Sequence, residues 1–228
     1  EHGEGLPLLL IAQGAMNSTV DKWAGVTLNP LAVFADDFRM IAMDQRNAGR
    51  SAGPLDVDDP WGGYARDQLA LMDHLGVESF NVMGCCIGGS FVLRLIQQAP
   101  ARVAAGVLEQ PIGIQDDNAH LFEAMWRSWG ADLAERRSDI DVDRVEAFGT
   151  RMWDGDFVVS VSRDFVRSCP TPLLVLPGTD QYHPTATGRE IADLAPPGEV
   201  VEPWNDSSGH QEGATRAVRR FFQSHPPG

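Results

Sequence analysis

The chain has 228 residues, with 32 acidic side chains against 18 basic ones and a formal charge of -14 at pH 7. A chain of this length buries roughly 70% of its unfolded surface without staples, and its acidity disfavours nucleic acid and anionic membrane surfaces as partners. Its three cysteines, an odd number with two adjacent, do not read as a disulfide framework, and no apolar run reaches the roughly 20 residues of a membrane span, so a cytoplasmic protein acting on a small neutral or apolar molecule is expected.

Leu6 to Ala12 (LPLLLIA) is a continuous apolar run with the length of a buried parallel strand. It ends in Gln13-Gly14-Ala15-Met16, after which the turn and cap formers Asn17 and Ser18 lead to a short helix predicted from Asn29 to Phe34. Phe38 to Met43 reads as a second strand closing on Asp44, and Gln45 to Pro60, rich in glycine, proline and aspartate, as a loop. A helical stripe follows from Tyr64 to Leu75, with Gly76 where a C-cap would be.

Phe80 to Ser90 (FNVMGCCIGGS) is the most informative stretch. A buried strand ends at Gly84, a sharp turn carries two cysteines, and a helix begins that Pro100 stops. Val103 to Leu108 is a further strand. From Pro111 to Ser168 the composition turns acidic and tryptophan-bearing, which reads as a helical cap (residues 111–168) inserted between two parts of one core (1–110 and 169–228). Alternation then resumes with the strand Thr171 to Pro177, the helix Ala186 to Leu194, the strand Glu199 to Pro203 and the helix Glu212 to Ser224. Apolar strands alternating with helices imply an α/β fold, its mostly parallel sheet covered on both faces, with chemistry at the carboxyl ends of the strands.

Three candidates lie at such ends. Gly84 and Gly88 flank Cys86 with the spacing of a nucleophile elbow, in which glycines two before and two after the nucleophile remove side chains that would collide across the turn. A thiol placed there, at a helix N-terminus, faces partial positive charge that favours its thiolate. Asp180 follows the LLVLPGT strand and His210 the VVEPW strand, giving the order nucleophile, acid, histidine. Glu109, at the end of the Val103 to Leu108 strand, is the reserve acid. His183, three residues after Asp180 and just before Pro184, reads as a pocket-rim or structural residue. Cys85 and Cys169 read as packing residues.

With the elbow GCCIGG, the acid loop GTDQYHP, the histidine loop SGH and the charged loop DQRNAGRS on the page, the chain resembles the alpha/beta-hydrolase superfamily from Leu8 to the final helix. The resemblance implies a Cys86, His210, Asp180 triad and an oxyanion hole from the backbone N–H of Ile87 and of Ala15, with Met16 as the alternative to Ala15. Two departures stand out. Gln13-Gly14 replaces the usual histidine-glycine pair, and the customary leading pair of strands is missing before Leu6, which implies truncation. Cysteine in place of serine resembles dienelactone hydrolases and some cysteine-using thioesterases.

A thiolate leaves a tetrahedral intermediate more readily than an alkoxide, so activated acyl groups (lactones, aryl esters, thioesters) are the expected substrates, through a thioacyl-enzyme. Gln13, Met16, Trp126, Trp129, Trp153 and His183 are the candidate substrate contacts, and an apolar or aromatic substrate is expected. No metal-ligand spacing or phosphate-binding loop is present, so no cofactor is expected. An acyltransferase sharing the intermediate, a ligand-binding protein on the same scaffold and a thiol redox sensor are the competing readings.

Overall fold

The computed structural model describes residues 1–228. Six strands, β1 (Leu6–Ile11), β2 (Phe38–Ala42), β3 (Phe80–Cys85), β4 (Val103–Glu109), β5 (Leu173–Leu176) and β6 (Gly198–Val200), form one sheet in the order β2-β1-β3-β4-β5-β6 with every pairing parallel. Eight α-helices accompany it: α1 (Pro30–Val33), α2 (Pro60–His74), α3 (Ile87–Gln98), α4 (Ala119–Arg136), α5 (Val142–Met152), α6 (Arg163–Ser168), α7 (Thr185–Leu194) and α8 (Ser208–Ser224).

Alternation along each strand divides the core in two. Leu9, Ile11, Val82, Val175 and their neighbours pack with α2, α3 and α7, whereas Leu8, Leu10, Met83, Val107 and Leu174 pack with Phe34 and with Val218 and Phe222 of α8. Both faces being covered, the central strands read as largely apolar runs, with Asn81 of β3 and Glu109 of β4 as their buried polar exceptions. No helix is long and apolar enough to cross a membrane.

Helix starts depart most from the sequence reading. Helix α2 begins at Pro60 because Asp59 accepts a hydrogen bond from Gly62 N–H and proline suits the first helical position. Helix α8 begins at Ser208, four residues before the expected Glu212, because the Ser207 side chain accepts from His210 N–H. Residue 210 is thereby drawn into a helix instead of a loop. Helices α4 and α5 form the helix pair that follows β4, and α6 leads the chain back to β5. The pair's docking is polar as well as apolar: Trp61 Nε1 donates to Met152 O (2.8 Å), an Arg144 guanidinium donates to Leu55 O (2.9 Å), and Arg137 donates to Asn47 Oδ1 (3.1 Å).

Candidate active site

The chain reverses from β3 into α3 through Cys86, whose φ of 59° and ψ of -123° are unfavourable for a residue with a Cβ. Neighbours hold it there. Cys86 N–H donates to Glu109 O (2.9 Å), and Gly89 N–H donates to Cys86 O (3.0 Å). A Cβ on Gly84 would overlap the carbonyl oxygen of Gly88, and one on Gly88 would overlap that of Ile11. These two close approaches give the physical reason for the glycine spacing. The second also seats the end of β1 on the first turn of α3. Ile87 is the first residue of that helix, so its N–H has no partner within it. The turn after β1 carries Gly14 (φ 109°) and the buried Ala15 (φ 54°).

Of the three cysteines only Cys86 is not fully buried. Burial pushes the Cys85 thiol well up, with Glu109 and Cys86 adding to the effect, and burial likewise raises Cys169. The imidazole that meets Cys86 is His183. Both Asp180 oxygens lie 2.9 Å from His183 Nδ1, and Asp180 Oδ1 also accepts from the N–H groups of Tyr182 (2.8 Å) and His183 (3.0 Å). An aspartate three residues before the histidine thus closes a tight local loop and fixes the ring. Nε2 is buried without a hydrogen bond of regular geometry and interacts with the Cys86 sulfur through a looser contact. Burial disfavours a charge on this ring, but Cys86 and Asp180 outweigh it and raise its pKa to about 9. For Asp180, partial burial is likewise outweighed by His183 and the two amides, which hold the carboxyl below its ordinary range.

His210 is not brought to Cys86. The early start of α8 places it in the exposed first turn of that helix, where its Nδ1 pairs with Asp206 and its N–H with Ser207 Oγ. The expected arrangement is corrected accordingly: the structure joins Cys86, His183 and Asp180 and leaves His210 outside. The signal for His183 was the Asp-x-x-His spacing beside a proline.

Glu109 lies beneath the elbow, fully buried at the end of β4. Its Oε1 accepts from Leu28 N–H (3.2 Å), and its Oε2 has no partner. Burial drives its pKa up to about 8 against weaker opposing pulls from Leu28 N–H and His183, so the carboxyl is largely neutral at pH 7. The folded state therefore holds this proton across a pH range in which the unfolded chain, with an ordinary glutamate value near 4.5, has released it. Stability should fall as pH rises from about 4.5 to 8, and His183 adds a loss of the same sign between about 6.5 and 9. Glu109→Gln, which keeps the neutral shape, is expected to flatten urea midpoints between pH 5 and 6.5 while leaving the His183 slope above that range.

Among the candidate substrate contacts, Trp126 and Trp153 line a cleft of about 610 Å³ at the helix pair with Phe122 and Ile114. Phe122 stacks on Trp153 (5.3 Å between ring centres) and meets Tyr182 edge-on (5.7 Å), so an aromatic line runs from the helix pair to the residue beside His183. Trp129 is corrected to core, packed on Phe148 at 5.6 Å and 2% exposed. Met16 is fully buried, and Gln13 braces its loop by donating to Lys22 O (3.4 Å). No group of three or more histidine, cysteine, aspartate or glutamate side chains is arranged to hold a metal ion.

Comparison with known proteins agrees with this architecture. The chain is 32% identical over 139 residues to 2-heptyl-3-hydroxy-4-quinolone dioxygenase of Rhodococcus erythropolis, covering 52% of this chain and 48% of that protein. It is 27% identical over 143 residues to 2-hydroxymuconate semialdehyde hydrolase of Pseudomonas putida, covering 62% and 49%. In both cases the aligned part spans about half the length of the relative. A meta-cleavage product hydrolase from Pseudomonas fluorescens IP01 superposes with a TM-score of 0.71 at 19% identity, over 98% of this chain and 92% of that one. The alpha/beta hydrolase fold profile matches residues 7–189, and with the parallel sheet and the elbow in place the chain belongs to that family.

Proposed function

We propose that this chain is a hydrolase that cleaves a small activated ester, lactone or thioester through a thioacyl intermediate on Cys86. The observation that carries the reading is a half-buried thiol at the tip of a strained turn, facing an imidazole whose other nitrogen is held by a carboxylate. Asp180 orients the ring and stabilises its charged form. With a pKa of about 9, His183 carries a proton at neutral pH, ready for a leaving group.

In the first half-reaction Cys86 Sγ bonds to the acyl carbon, the bond to the leaving oxygen or sulfur breaks, and the His183 Nε2 proton passes to the departing atom. Water then attacks the thioester and returns a proton to Nε2. The carbon–sulfur bond breaks and the acid is released. The N–H groups of Ile87 and Ala15 are the donors for the tetrahedral oxyanion in each step.

Sulfur at the elbow favours substrates whose leaving group competes with a thiolate, and the aromatic line through Phe122 and Trp153 favours an apolar or aromatic acyl part. Relatives named as a dioxygenase and as a hydrolase share the fold, so fold alone does not choose the reaction. The thiol and its imidazole favour acyl transfer. Purified protein is expected to gain a covalent acyl mass from aryl esters, thioesters and enol lactones, and to turn these over faster than matched alkyl esters. Faster cleavage of the alkyl esters, or turnover with no adduct under rapid quench, contradicts the reading. Amine and thiol acceptors in the same assay separate hydrolysis from transfer to another nucleophile.

A further inference from the structure

Lys22 is the only lysine in the chain. It lies in the 3-10 turn Val20–Gly25, directly after the loop that carries Gly14 and Ala15, and its carbonyl is tied to that loop through Gln13. Its side chain folds back over Gly14. A Cβ at position 14 would lie 2.7 Å from Nζ and 2.8 Å from Cδ, so glycine leaves the room in which the lysine tip rests.

Lys22 as a residue is half-buried, and its ammonium belongs to no ion pair. The nearest acid in sequence, Asp21, is engaged by Thr19 Oγ1. Many arginines are matched with carboxylates, as Arg46 is with Asp67, Arg163 with Glu190 and Arg219 with Asp37, whereas Arg50, Arg136, Arg144 and Arg220, like Lys22, are not. What sets Lys22 apart is its place: an unpaired cation held against the Gly14 turn is free to take an anion from outside. Partial burial strengthens such an attraction relative to bulk water, and an ammonium offers three donors to a carboxylate.

We infer that Lys22 selects substrates bearing a carboxylate on the acyl part, holding it beside the turn that presents Ala15. The inference rests on the acyl-transfer reading for the site's location and adds to it the charge of the substrate. The probes are the 4-nitrophenyl half-ester of glutaric acid and neutral 4-nitrophenyl pentanoate, which has the same chain length. The parent protein should prefer the anionic ester in kcat/KM, and Lys22→Met should shrink that preference about tenfold, chiefly through KM, the loss expected for a hydrogen bond to a charged group. Lys22→Arg should restore most of it. An unchanged ratio in Lys22→Met, or an equal fall for both esters, overturns the assignment. A separate arm titrates free glutarate into Cys86→Ala protein with and without Lys22→Met, so binding is read without chemistry. Glutarate bound equally by both defeats the Lys22 role. Failure of either ester to turn over, with Lys22-dependent glutarate binding intact, defeats the acyl chemistry alone.

Discussion

Cys86→Ala is expected to lose all covalent adduct and to lower kcat/KM on a thioester by about 10⁴-fold or more, the scale on which removal of a nucleophile acts. The remaining turnover would come from binding and the oxyanion donors alone. Cys86→Ser is the more instructive variant. It preserves the elbow, because serine and cysteine place the same number of side-chain atoms at a φ of 59°, but it sets a hydroxyl where the imidazole now meets sulfur. A protonated His183 is poorly suited to take a proton from an alcohol. The serine variant should therefore fall about 10²-fold or more below the parent, with any adduct appearing slowly. Rapid-quench mass spectrometry measures both, and full activity in either variant removes Cys86 from the chemistry.

His183→Ala is expected to reduce kcat/KM by about 10³-fold, whereas His210→Ala should stay within about twofold of the parent. The contrast follows from position. The His183 ring is mostly enclosed, with Asp180 on one nitrogen and Cys86 facing the other, while His210 lies on the exposed first turn of α8 paired with Asp206. Urea midpoints should accompany the rates, since losing a mostly enclosed ring costs more stability than losing an exposed one. The pH profile is diagnostic too: the parent should lose activity on the alkaline side with a midpoint near 9, as His183 gives up the proton required by the leaving group. A collapse of activity in His210→Ala with His183→Ala intact would return the base to α8.

These paired outcomes mark where sequence reasoning reached and where it stopped. The parallel sheet and the elbow were legible because their causes are local: unbroken apolar runs for strands covered on both faces, and two glycines whose absent side chains admit the carbonyls of Gly88 and Ile11. Asp180 and Glu109 were legible as carboxyls at strand ends. Which histidine completes the site depended on a competition invisible in the order of residues. Ser207 captures the N–H of residue 210 and winds Ser-Gly-His into helix, while Asp180 curls the loop after β5 until residue 183 points at sulfur. The neutral state of Glu109 was likewise beyond sequence reach, since it is sealed by Leu28, far away in the chain. Trp129 reads as a pocket residue by composition and is core by packing, the usual fate of a large ring on the inner side of a helix hairpin.

The bonds that fasten α4 and α5 onto the core bear on how firmly that helix pair is seated. Trp61 grips the last turn of α5 from the start of α2, and Arg144 and Arg137 hold loop carbonyl and amide oxygens from the other side. Moving the helix pair away from the sheet would break all three together and would carry the stacked Phe122 and Trp153 rings with it. The pair is thus tied to the first turn of α2 and to the loop after β2 by three separate bonds, one of them from an indole and two from guanidinium groups.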